Sequence, residues 1–125
     1  MWTWFFSAGS VLSATAVGLG AFGAHALKGK LTPEDSAIYE TASKYLTMQS
    51  IGLLAVALLM TRIDHLALKF AAGSITVGAI VFSGSLYLLV FTGARWFGAI
   101  TPIGGVLLIV GWLLGAWAAI SANWS

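Results

Sequence analysis

Residues 18–30 read Gly-Leu-Gly-Ala-Phe-Gly-Ala-His-Ala-Leu-Lys-Gly-Lys, and Lys28 is the first charged side chain of the protein. A long uncharged run that ends in glycine and lysine reads as a membrane span entering its first loop. The rest of the chain repeats that pattern. Four apolar segments, about 3–27, 45–62, 68–92 and 102–122, are separated or edged by all six Lys/Arg and all four Asp/Glu. At about 1.5 Å per residue each comes close to or exceeds the ~30 Å hydrocarbon core. Backbone groups in lipid must be bonded within their own segment, so the runs are expected to be helices. The expected fold is an all-α integral membrane four-helix bundle in one domain, residues 1–125.

Composition supports a lipid solvent. The chain is 59% hydrophobic and 8% charged, whereas soluble domains carry about a quarter charged residues. A net charge of +2, scattered over the loops, excludes a nucleic-acid footprint, which needs a clustered basic face. With no cysteine there is no disulfide, thiolate nucleophile or Cys-held metal. Ala24-His25-Ala26 fits a signal-cleavage pattern. The run before it lacks a basic start and is long, aromatic-led and glycine-rich, so it is read as retained. The bacterial inner membrane is the expected location.

Segment 1 begins with Trp2, Trp4, Phe5 and Phe6, suited to an interfacial aromatic belt. Ser10, Ala14 and Gly18 then recur every four residues. That spacing lets two helix backbones approach closely, so segment 1 is expected at the centre of the bundle. Thr32-Pro33-Glu34-Asp35 reads as a helix start. It opens an amphipathic extension over about 33–44, with Ile38, Ala42 and Tyr45 on one side and a Glu40–Lys44 pair. Segment 2 is leucine-rich and expected to face lipid broadly. Thr101-Pro102 is read as the start of segment 4. Gly18, Gly20, Gly23, Gly78, Gly84, Gly111 and Gly115 are the expected helix-packing positions.

Two internal echoes suggest a duplicated helical hairpin. Ala8-Gly9-Ser10 matches Ala72-Gly73-Ser74, and Leu31-Thr32-Pro33 matches Ile100-Thr101-Pro102. Duplication predicts that segments 1 and 3 meet through their small faces.

Gly20-Ala-Phe-Gly-Ala-His25, Phe82-Ser-Gly-Ser-Leu-Tyr87, Ile100-Thr-Pro-Ile-Gly-Gly105 and Gly111-Trp112 resemble domain-of-unknown-function family 423. Its animal members are called transmembrane protein 256. The resemblance spans essentially the whole chain. It implies a small four-helix membrane protein and no particular activity. Family members often carry a histidine in segment 2 where this chain has Gln49, and a basic tail where it ends Asn123-Trp124-Ser125.

Gly18-x-Gly20-x-x-Gly23 spells a dinucleotide motif, but no strand precedes it as that chemistry requires. Helix packing is its reading. His25 and His65 fall at opposite membrane faces, so one haem or metal cannot take both. No nucleophile–base–acid set is visible, and no catalytic residue, cofactor or metal is expected. Polar groups do converge at the loop 1/loop 3 end: His25, Glu40, Tyr45, Gln49, Ser83, Ser85, Tyr87, Arg95 and Thr101. Polar groups within a membrane mark either a functional site or a network that holds the bundle. Loops 1 and 3 hold four basic residues against two on the other side, which leans toward loops 1 and 3 in the cytoplasm, while the basic tails of the resembling family lean the other way, toward cytoplasmic termini.

The leading expectation is a structural or accessory component, not an enzyme, that packs in the lipid bilayer with other membrane subunits or as a homo-oligomer. The alternatives are an oligomeric transporter or channel using His25 and Glu40, and a lipid- or quinone-binding protein.

Overall fold

A computed structural model describes residues 1–124. It contains four helices: α1 (Trp2–His25), α2 (Pro33–Leu59), α3 (Leu66–Thr92) and α4 (Phe97–Ser121). Among the described residues there is no strand. All four helices are long and apolar enough to cross a membrane, and short loops make sequence neighbours antiparallel. Loops 1 and 3 therefore share one face, and loop 2 and the amino terminus share the other.

Local chemistry sets the helix ends. Thr32 caps α2 by accepting from the Asp35 amide at 3.1 Å, and Pro33 occupies the first turn, where no backbone donor is needed. Gly93 closes α3 in the left-handed conformation at φ 72°, which a side chain would resist. His65 caps the start of α3, its Nδ1 accepting from the Ala67 amide at 3.0 Å. α4 starts one turn earlier than Thr101-Pro102 suggests. Its opening turn is built on the Ala94, Arg95 and Trp96 carbonyls, and Pro102 lies inside the helix.

The helices form an open array, each packed on its sequence neighbour, with α3 at the centre. Of the most apolar stretch of each helix, 44% is buried for α3 and 39% for α2, against 17% for α1 and 22% for α4. Segment 1 is thus peripheral and not central, and segment 2 is far more covered than its leucine content suggests. α1 packs on α2 and only skirts α3. The expected meeting of small faces between segments 1 and 3 does not form. Gly9 lies against Leu54 and the Ser50 carbonyl of α2, while a Cβ on Gly73 would meet nothing.

Two apolar clusters fill the interior. One, toward the loop 2 end, gathers Phe5, Leu53, Val56, Leu68, Ile75 and Leu108. The other, toward the loop 1 end, gathers Ala16, Tyr39, Ala42, Leu46, Tyr87 and Val90. The closest seam is α3 on α4. A Cβ at Gly104 would overlap the Phe82 backbone (Cα at 2.8 Å), and one at Gly111 would lie 2.7 Å from Ile75. A Cβ at Gly78 would lie 3.0 Å from the Gly104 carbonyl.

The other expected packing glycines behave differently. Gly23 is covered by the Tyr39 ring, and Gly115 just reaches Ala71 at 4.0 Å. A Cβ at Gly18, Gly20 or Gly84 would meet nothing within 4 Å. Spacing gives a helix a face that permits close approach, but it does not place a neighbour there.

Candidate functional site

α2 runs unbroken from Pro33, so its first turns extend the same helix that forms the span. The inward face there is Tyr39, Ala42, Leu46 and Gln49, one step round the helix from the expected Ile38, Ala42 and Tyr45. Tyr45 is 38% exposed instead, its ring 4.8 Å from Phe82. Glu40 and Lys44 are both exposed and form no ion pair within 4.0 Å.

The polar groups expected at the loop 1/loop 3 end do not make one constellation, and Gln49 lies nearer the middle of its span. They form separate pairs, each joining two helices or a helix and a loop. The Tyr87 and Ser43 hydroxyls lie 2.6 Å apart, tying α3 to α2. Ser83 donates to the Ala42 carbonyl at 2.9 Å across the same interface. Ser85 and Thr101 share a 2.5 Å hydroxyl pair between α3 and α4. Gln49 accepts from the Trp112 indole at 2.7 Å, joining α2 to α4. Arg95 reaches Asp35 at 3.4 Å and Glu34 at 4.0 Å, fastening loop 3 to the start of α2. His25 is exposed at the end of α1 with no side-chain hydrogen bond among the described residues, so it joins none of these pairs.

Three contributors were not among the expected site residues. The Tyr39 hydroxyl donates to the Leu19 carbonyl of α1, and its ring lies 5.1 Å from Tyr87 and 5.9 Å from Phe91. Ser43 partners Tyr87, and Trp112 partners Gln49. A four-residue spacing, Tyr39 to Ser43, was the available signal for the first two. No local pattern announces Trp112, 63 positions from Gln49.

Above the Tyr39–Ser43–Tyr87 group lies a half-open cleft of about 460 Å³ between the end of α1, loop 1 and the start of α2. Lys28 and Glu40 line it, with Ser36, Tyr39 and Ser43. Neither charged group has an ion-pair partner among the described residues. The cleft can hold a polar group at the membrane surface. Among the described residues no group of three His, Asp or Glu could hold a metal ion.

At the opposite face both ring nitrogens of His65 are engaged. Its Nδ1 accepts a backbone N–H, so Nε2 carries the proton and donates to Ser121 at 2.8 Å; Ser121 in turn donates to the Trp117 carbonyl. This relay pins the start of α3 to the end of α4.

Comparison with known proteins places the chain among small membrane proteins that it matches over most of their length. The family described as "Protein of unknown function (DUF423)" matches residues 19–105. A UPF0382 membrane protein of Staphylococcus epidermidis is 44% identical over 110 residues, covering 88% of this chain and 89% of the relative. The UPF0382 membrane protein YwdK of Bacillus subtilis is 38% identical over 117 residues, covering 93% and 95%. A UPF0382 membrane protein of Staphylococcus saprophyticus is 42% identical over 110 residues. No solved structure matches.

Proposed function

We propose that this chain, which belongs to the family of unknown function DUF423, acts as a structural or accessory component of a membrane assembly. In this role it performs no chemistry. It offers the outer face of α1 to a transmembrane helix of another subunit or of a second copy. One observation carries the reading. The small-residue stripe Ser10, Ala14, Gly18 lies exposed on the least covered helix, and a Cβ at Gly18 would meet nothing. In lipid, close backbone approach along such a stripe supplies packing energy that larger side chains deny. The polar groups fit the same role, because Ser43, Ser83, Ser85, Tyr87 and Thr101 are engaged in bonds between helices.

The test is purification of the tagged protein from its native membrane in mild detergent, beside an Ala14→Leu/Gly18→Leu variant. The expected result is a stoichiometric membrane partner, or a defined oligomer, that the variant loses while keeping its thermal stability. A wild-type particle that is strictly monomeric and carries no other protein sinks the proposal.

A transport role keeps one observation in its favour, the surface cleft with the unpaired Lys28 and Glu40. Proteoliposomes that carry an ion or solute flux, lost in Glu40→Gln, support it; equal flux with and without protein removes it.

A further inference from the structure

We propose that the groove between α2 and α4 is a binding site for the ring-carbonyl head group of a bilayer-dissolved amphiphile of the isoprenoid-quinone class. The argument begins at Gln49, which is only 9% exposed. Its neighbour, the Trp112 indole N–H, is a donor and nothing else, so the carboxamide oxygen must face it, as the 2.7 Å bond shows. The amide NH₂ is therefore the free end, and it has no acceptor among the described residues. Nor is it sealed in, because Ser13 Oγ is the one side-chain polar atom that is both buried and unbonded among the described residues.

Depth makes this costly. Gln49 precedes Leu59 by ten residues and Trp112 precedes Ser121 by nine. At ~1.5 Å per residue both lie about 15 Å from the loop 2 end, near the middle of a ~30 Å hydrocarbon core. Water does not reach that depth, and an unbonded amide in hydrocarbon costs on the order of several kcal/mol. A second polar group lines the same groove. Tyr45 lies one helical turn from Gln49, and its hydroxyl has no hydrogen-bond partner among the described residues.

The space suits a ligand. The groove holds about 500 Å³, within the range of about 300–1,000 Å³ typical of small-molecule sites. Its walls are otherwise apolar: Phe82, Leu108, Ile109, Trp112 and Leu113. At its floor Gly105 leaves room, since a Cβ there would come no closer than 3.7 Å to the Phe82 ring. Ile109 and Leu113 are 62% and 66% exposed, so the groove opens to the lipid tails.

The chemistry of the groove selects the occupant. A free amide donor needs an acceptor oxygen. Acyl chains carry none at this depth, and phospholipid ester carbonyls stay near the head groups, about 15 Å away at the edge of the core. A quinone ring carries its carbonyl oxygens on an apolar, membrane-dissolved body, and it can bring one to Gln49 and place another toward Tyr45.

The test uses the full chain in phosphatidylglycerol nanodiscs, titrated with 2-methyl-3-decyl-1,4-naphthoquinone and, in parallel, with 2-decylnaphthalene, which has the same body and no acceptor. Probe retained beyond that of empty discs is measured for wild type, Gln49→Leu and Tyr45→Phe. The expected result is saturable 1:1 quinone binding, weakened about tenfold by Gln49→Leu and several-fold by Tyr45→Phe. Naphthalene retention, equal in all three, shows that the groove survives the substitutions. Quinone retention no greater than in empty discs overturns the proposal. So does quinone binding that is the same in wild type and Gln49→Leu, or a groove occupied by phospholipid that the quinone does not displace.

Discussion

The α3–α4 seam and the outer face of α1 use the same residue type to opposite ends. In the seam a Cβ added at Gly78, Gly104 or Gly111 would come within 3.0 Å of backbone or side-chain atoms of the facing helix. On α1, Gly18 and Gly20 face open space. Gly104 and Gly111 of α4 are seven residues apart and Ser10, Ala14 and Gly18 of α1 recur every four, and either spacing puts small residues on one face of a helix. The seam shows what such spacing does once a neighbour is present. The α1 face shows that the spacing alone does not supply the neighbour. Within the chain, α3 is the helix around which the others are arranged, and α1 is attached mainly through α2.

The contrast can be broken at the seam first. Gly104→Leu places a branched side chain where the Phe82 backbone already stands, and backbone cannot move aside as a flexible side chain can. The expected destabilisation is about 3 kcal/mol or more, seen as loss of the folded, monodisperse particle on size exclusion. Trp112→Phe is the next largest. It keeps an aromatic ring at the position but removes the indole N–H and the outer indole edge that lies over Gly52. The Gln49 oxygen is left without its donor, costing about 1–3 kcal/mol in a detergent unfolding titration. His65→Ala removes both the cap of α3 and the link to Ser121. Its expected cost is about 1 kcal/mol, with faster amide exchange confined to the first turn of α3. Arg95→Ala cuts an exposed ion pair with Asp35, worth less than about 1 kcal/mol. Its effect should fade as salt is raised, since screening already weakens the pair.

How much of this was legible beforehand follows from the range of each interaction. The four spans could be read because hydropathy is a property of consecutive residues. The start of α2 could be read because Thr32 and Pro33 act within one turn. The start of α4 could not, because its first turn rests on backbone carbonyls from residues 94–96 that carry no helix signature, and Pro102 proved compatible with a helix interior. The inward face of α2 is turned by about one residue from the expected side, with Ala42 common to both. Ile38 is more apolar than Tyr39, but Tyr39 can bury its ring and still bond the Leu19 carbonyl, as a large amphipathic side chain does.

The candidate site was legible as a collection and not as an arrangement. Sequence put Ser85, Tyr87 and Thr101 at one end of the protein. Only the fold pairs Tyr87 with Ser43 and Ser85 with Thr101, and it leaves His25 outside. Gln49 with Trp112 is the extreme case, two residues far apart in sequence whose meeting depends on how α2 and α4 both lean on α3.

The most direct test of the contrast is a pair of single-methyl substitutions, Gly104→Ala and Gly18→Ala, unfolded side by side in the same detergent. The fold described here predicts that Gly104→Ala loses about 1–3 kcal/mol. It predicts that Gly18→Ala is neutral, or gains less than about 1 kcal/mol from the better helix former. Equal losses in both variants, measured on a monomeric particle so that no second copy covers α1, would contradict it, because they would mean that another helix of this chain covers α1 at Gly18 as closely as Phe82 covers Gly104.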